Sequence, residues 1–235
     1  MKPITSIGEC LISTADHDYF FKPSFINMTR IGAEDEIVGV YSTLNGYEIS
    51  RVVNNSINNI GIVPECIMKA ISKPAYGKPI LNAAILVMQS CCDDDISPLV
   101  GTYKPTPRGM KYMPGMMPIK DIVIIGKNLA EHGIIGKVKR RVLQREEGKK
   151  SNYSNSFRVI DYISSARTHF NMTREEAQNL TMTEFQELIK IKFPDTEKGL
   201  TRDEYDATKV AYLKKQKERI SRAKANGCEF RANYL

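Results

Sequence analysis

The sequence predicts a mainly helical protein: a helical N-terminal domain with one β-hairpin, then a small helical C-terminal module. Three observations point there. Two short apolar-rich runs near the N-terminus, SIGECLIS and DYFFKPS, flank the turn-like Thr14-Ala15-Asp16-His17-Asp18, which is a hairpin pattern. Apolar residues further on recur every three or four positions, as they do along one face of a helix. Towards the C-terminus, three capping boxes fall within about 30 residues, each marking a helix start.

The elements follow in order. The hairpin takes up about residues 4–25. Glu34, Asp35 and Glu36 suit the first turn of a helix, where carboxylates meet the positive end of the dipole. Ile37, Val38, Tyr41 and Leu44 continue that helix, and Gly46 can end it. Pro64 and Pro79 each stand where a helix can begin. The first helix runs through Ile67, Met68 and Ile71 to Lys73, and the second, ILNAAILVMQSCC, is apolar nearly all round, as a buried helix is. Residues 103–118 hold four Pro, four Met and two Gly, so an irregular loop is expected there. Pro118 opens a helix with Ile122, Ile125 and Leu129 on one face, and His132-Gly133 closes it.

The domain to residue 136 is followed by a basic connector, 137–155, ending in SNYSNS, and then by the helical module, 156–235. Phe157, Ile160 and Ile163 mark its first helix, which ends near Phe170. The boxes Thr173–Glu176, Thr181–Glu184 and Thr201–Glu204 open the next three. Lys192-Phe193-Pro194-Asp195 stops the third helix of the module, and Asn226-Gly227 stops the last.

Charge is distributed unevenly. The chain has 235 residues and a net charge of +7. Residues 137–150 carry +5 and residues 209–224 carry +6, which leaves −4 for the rest. Lys139, Arg140 and Arg141 in the connector and Lys214, Lys215 and Arg219 in the terminal helix are the candidate basic contacts. Only Tyr212 interrupts either segment with an aromatic ring, so base stacking has no support there and nucleic acid is not the expected partner. The composition, with 42% hydrophobic and 26% charged residues, excludes a wholly disordered or fibrous chain. The longest apolar run, about Ala83–Met88, is far short of the roughly 18–20 residues a membrane span needs. Five scattered Cys fit a reducing cytosol better than a disulfide framework.

No motif carries catalysis. The run from His132 to Lys137 fails as a phosphate loop, because Glu131 stands where a Gly is needed and Val138 where Ser or Thr is needed. Asp93-Asp94-Asp95 lacks the alternation of a Ca²⁺ loop. Cys91-Cys92 is not a zinc pair. His17, His132 and His169 lie near no nucleophile motif. No catalytic residue, metal ligand or cofactor is expected, and the protein is read as a non-enzyme. The candidates for contact are apolar. Phe185, Leu188, Ile189 and Phe193 form a strip at helical spacing, and Met113 and Met116 offer adaptable side chains for varied apolar partners. Packing of that strip on Phe157, Ile160 and Ile163 is the other reading of the same spacing.

Two segments carry a resemblance. Pro23-Ser24-Phe25-Ile26-Asn27-Met28-Thr29-Arg30-Ile31-Gly32, followed by acidic residues and Ile37-Val38, resembles the N-terminal part of a family of tailed-bacteriophage proteins encoded among tail genes. Ala166-Arg167-Thr168-His169-Phe170, through Met182-Thr183-Glu184-Phe185 to Phe193-Pro194-Asp195, resembles the C-terminal part of that family and is similar to phage tail assembly chaperones. The resemblance implies an assembly factor in the host cytoplasm that binds the tape-measure protein, brings tail-tube subunits to it and leaves before the tail matures. The N-terminal hairpin departs from the best-known chaperones. A structural or tail-completion protein retained in the virion, and a nucleic-acid-binding accessory protein, are the alternative readings.

Overall fold

The computed structural model describes residues 2–60, 62–107, 109–138, 156–193 and 202–225. Met1–Lys192 form one compact unit and Phe193–Leu235 a second. The fold is mainly helical, with two small antiparallel hairpins.

The expected N-terminal hairpin is present. β1 (Cys10–Ser13) pairs with β2 (Asp18–Phe21) in the register Cys10↔Phe21 to Ser13↔Asp18. Alternation along β2 buries Tyr19 and Phe21, so one face of the hairpin lies on the core. A short helix, α1 (Phe25–Met28), follows, with the Ser24 hydroxyl accepting the Asn27 N–H. α2 (Glu34–Leu44) begins at the acidic turn as expected, and the Glu36 carboxylate accepts the Ala33 N–H at 2.7 Å.

α3 (Tyr47–Ile60) has no counterpart among the sequence expectations. α4 (Glu65–Ile71) starts after Pro64 as read. α5 (Pro74–Cys91) begins five residues before Pro79, which lies inside it. Pro74, at the start of α5, takes the role expected of Pro79. An internal proline removes one i→i−4 bond, and the long apolar body beyond it, with Leu81, Ala84, Val87 and Met88 buried, outweighs that loss.

A short turn of helix, α6 (Ser97–Val100), leads into the segment expected to be irregular. It is instead a second hairpin, β3 (Thr102–Thr106) and β4 (Gly109–Met113), with Tyr103↔Tyr112, Lys104↔Lys111 and Pro105↔Met110 as partners. Two-stranded hairpins tolerate proline because each strand has an outer side on which no ladder bond is lost. The base of this one is fixed by Met117 N–H donating to the Leu99 carbonyl at 2.9 Å.

α7 (Ile119–Ala130) starts after Pro118 and packs on α5. A Cβ at Gly126 would stand 2.8 Å from the Ala84 Cα, so the two helices meet backbone to backbone. His132-Gly133 does not end α7. The chain widens into a π-turn, Glu131–Ile135, and stops at Gly136 with φ 80°. A left-handed φ of this kind favours glycine.

α8 (Val159–Phe170), α9 (Arg174–Gln178) and α10 (Met182–Lys192) form where the module was expected, with both capping boxes closed. The Glu176 carboxylate accepts the Thr173 N–H, and the Glu184 carboxylate accepts the Thr181 N–H, each at 2.8 Å. These helices belong to the first unit rather than to a separate domain. Phe25 N–H donates to the Leu180 carbonyl at 2.9 Å, Phe157 N–H to the Glu34 carbonyl at 3.0 Å, and Ser24 bridges Thr181. The boundary placed at 136–156 is therefore corrected: the core spans it. Ile160, expected to share a face with Phe157 and Ile163, is exposed, whereas those two are buried. The second unit contains α11 (Arg202–Ala225). The connector beyond Val138, Thr201 of the third box and the Asn226-Gly227 stop lie outside the described residues.

Candidate partner-binding surface

The apolar strip expected at Phe185–Phe193 divides. The Phe185 ring packs among Phe25, Tyr162 and Phe170, with centroids 6.0, 5.7 and 6.5 Å away. Leu188 is half-buried, and Ile189 is partly buried against the core. Phe185 and Ile189 are therefore packing residues. The Phe185 ring meets Phe25 of α1 and Tyr162 and Phe170 of α8, near the Ser24–Thr181 bridge. Phe193 is 52% exposed and falls in the second unit. Met113 and Met116 are both exposed, Met116 at 63%. Lys214 and Lys215 are exposed on α11. Arg219 lies in α11, but its side chain is outside the described residues, as are Lys139, Arg140 and Arg141 altogether.

A different surface emerges at α3, α4 and the start of α5. Ile49, Val52, Val53 and Ser56 recur at helical spacing along α3, opposite a face rich in uncharged Asn. That periodicity is the signature of a helix meant to cover something. Yet among the described side chains of α3 only Ser56 is buried, and on α4 none is. Ser56 is satisfied locally, its hydroxyl donating to the Val52 carbonyl at 2.8 Å. Ile49, Val52, Cys66, Ile67, Ala70, Ile71 and Tyr76 line a cleft of about 210 Å³. Ile57, Ile62 and Met68 of the same stretch of chain are exposed as well, Ile62 at 66%. Exposed apolar residues concentrated in one segment make it a candidate contact site. The sequence signal that finds it is the Ile/Val period on α3 set against Asn and Ser, read together with the apolar face of α4.

One buried polar cluster stands apart from it. His132 Nδ1 lies 2.8 Å from the Thr183 hydroxyl, which also accepts the Lys137 N–H at 3.2 Å. The hydroxyl oxygen has two lone pairs and one proton, and the His132 carbonyl lies 3.5 Å from it, so either neutral tautomer of His132 can make this contact. Burial holds His132 below the usual imidazole range, the Lys137 charge adds to the effect, and Glu131 opposes it. His132 is 5% exposed and Thr183 4%, so this hydroxyl–imidazole pair meets no substrate. It fastens the π-turn to α10, helped by the Gln186 amide donating to the Ile135 carbonyl. Burial likewise pushes the Cys91 thiol up, which keeps it a packing group rather than a nucleophile. Among the described residues, no group of three or more His, Cys, Asp or Glu is placed to hold a metal ion. None of the described helices is long and apolar enough to cross a membrane.

The fold and this surface define a mainly helical protein with an uncovered apolar face. The chain belongs to a family of unknown function (DUF6246), whose pattern matches residues 21–207. No curated protein and no solved structure matches it.

Proposed function

We propose that this protein is a bacteriophage tail assembly chaperone-like factor that binds an apolar helical stretch of the tape-measure protein, or tail-tube subunits, during tail morphogenesis. The observation that carries the reading is the α3–α4 surface, an amphipathic helix whose apolar stripe lines an open cleft instead of a core. A helix in such a groove is held by apolar anchors at three- and four-residue spacing. A long, apolar, helical client is a partner of that kind. Contact of this sort is broad and reversible, which suits a factor that acts in the host cytoplasm and then departs.

Co-expression with the tape-measure protein tests the reading. The expected outcome is a soluble complex. Val52→Asp combined with Met68→Asp is expected to abolish the complex while leaving the protein folded, since exposed substitutions usually cost within about 0.5 kcal/mol. A tape-measure protein that stays equally insoluble with and without this chain overturns the proposal. Stoichiometric presence in purified virions would instead place the protein among retained tail components.

A further inference from the structure

The β3–β4 ribbon has two unlike faces. Tyr103, Pro105, Met110 and Tyr112 share one of them by the two-residue alternation of a strand. The tyrosine end of this face is tied to the body: the Tyr103 hydroxyl donates to Asn82, the Tyr112 hydroxyl donates to the Val100 carbonyl, and the two rings lie 5.3 Å apart. The other face presents Thr102, Lys104, Thr106, Lys111 and Met113, all exposed. Lys104 and Lys111 are direct cross-strand partners, and like charges in that position weaken a hairpin. No ion pair to either lysine is present among the described residues. Residues 96–120 contain Lys104, Arg108, Lys111 and Lys120 and no Asp or Glu.

From this we infer that the outward face of the ribbon binds the phosphate backbone of duplex nucleic acid. Three arguments select that partner over an acidic protein. Lysine is depleted at the core of protein interfaces, which favour Tyr, Trp and Arg, and here both tyrosines lie on the opposite face with their hydroxyls bonded to the body. Lysine and threonine side chains are common phosphate contacts. A two-stranded ribbon also has dimensions the major groove admits. The surface differs from the basic segments 137–150 and 209–224, and it does not depend on the chaperone reading.

The test is fluorescence anisotropy of a 30-base-pair duplex at graded salt with the full chain. Weak binding at low salt is expected, falling as salt rises, with a slope near −0.9 per phosphate contacted. Lys104→Glu is the informative variant. It replaces a repulsive cross-strand pair with an attractive one, so its melting temperature should hold or rise while affinity drops on the order of tenfold at low salt. Lys104→Gln with Lys111→Gln should lower the salt slope by about 1.8, two phosphate contacts' worth. The inference is overturned by absence of binding at low salt. It is also overturned if these variants bind as the wild type does and only Lys214→Glu with Lys215→Glu weakens the complex. Polyglutamate of matched length binding as tightly as duplex through the same two lysines would make the ribbon an acidic-protein contact and equally overturn it.

Discussion

The helix pair α5–α7 and the helix pair α3–α4 start from the same kind of sequence and end differently. Each helix carries apolar residues at helical spacing. Between α5 and α7, Gly126 lies on Ala84, and that near-contact of backbones lets Val87, Met88, Ile122 and Leu129 interlock and disappear from solvent. The facing residues of α3 and α4 are mostly bulky, including Ile49, Val52, Ile67 and Ile71, and a cleft of about 210 Å³ stays open among them. Amphipathic periodicity thus establishes that a helix has a face to cover. Whether the molecule covers it itself depends on a small residue at the crossing. The first pair is core, and the second is the surface on which the functional proposal rests.

The comparison is broken most sharply by emptying the core side. Phe185→Ala removes a ring packed on three others, and should cost about 3–5 kcal/mol in denaturant unfolding monitored by circular dichroism. Were Phe185 a docking residue instead, the cost would be a few tenths. The crossing itself is tested by two glycines. Gly126→Ala introduces a methyl 2.9 Å from the Ala84 Cβ and 2.8 Å from its Cα. Overpacking against backbone should cost about 1–3 kcal/mol, more than the roughly 0.5–1 kcal/mol a helix gains by losing a glycine. At Gly77, in the uncovered region, a Cβ meets nothing within 4 Å. Gly77→Ala should therefore stabilise by about 0.4–1 kcal/mol. Opposite signs from one substitution in two helices would confirm the contrast, and equal signs would remove it.

What the sequence makes legible follows the same division. Helix α2 could be read because three acids open it and four apolar residues mark one face. The boxes at Thr173 and Thr181 could be read because cap and carboxylate lie three positions apart. Both are local signals. Helix α3 escaped because its Asn-rich face resembles linker, although its Ile/Val period was present. The second hairpin escaped because Pro105 and Pro107 argue against strand unless the register is known. The burial of Phe185 could not be read at all from its own helix. It is decided by Phe25, 160 positions away in sequence, and by a single bridge between Ser24 and Thr181. The uncovered α3–α4 face was unreadable for the complementary reason, since an apolar stripe looks the same whether or not a neighbour arrives.

The smallest expected effect is a titration, and it tests the burial of His132 just after α7. His132 Nδ1 meets the Thr183 hydroxyl, which also accepts the Lys137 N–H. That contact survives protonation, since Nδ1–H can donate to the hydroxyl's second lone pair. Burial, and then the Lys137 charge, are what disfavour the imidazolium in the folded state and lower its pKa. The unfolded chain binds more protons than the native one between the depressed folded value and the ordinary value of about 6.5, so stability rises with pH across that window. The contribution is complete above about pH 6.5 and is lost as pH falls below it. Thermal melts between pH 5 and 8 compare the wild type with His132→Gln. Because every other ionisable group is common to both proteins, the difference between the two curves isolates His132. The difference should grow with pH up to about 6.5 and then level off. A difference that is flat throughout would mean that burial and Lys137 do not disfavour the imidazolium in the folded state.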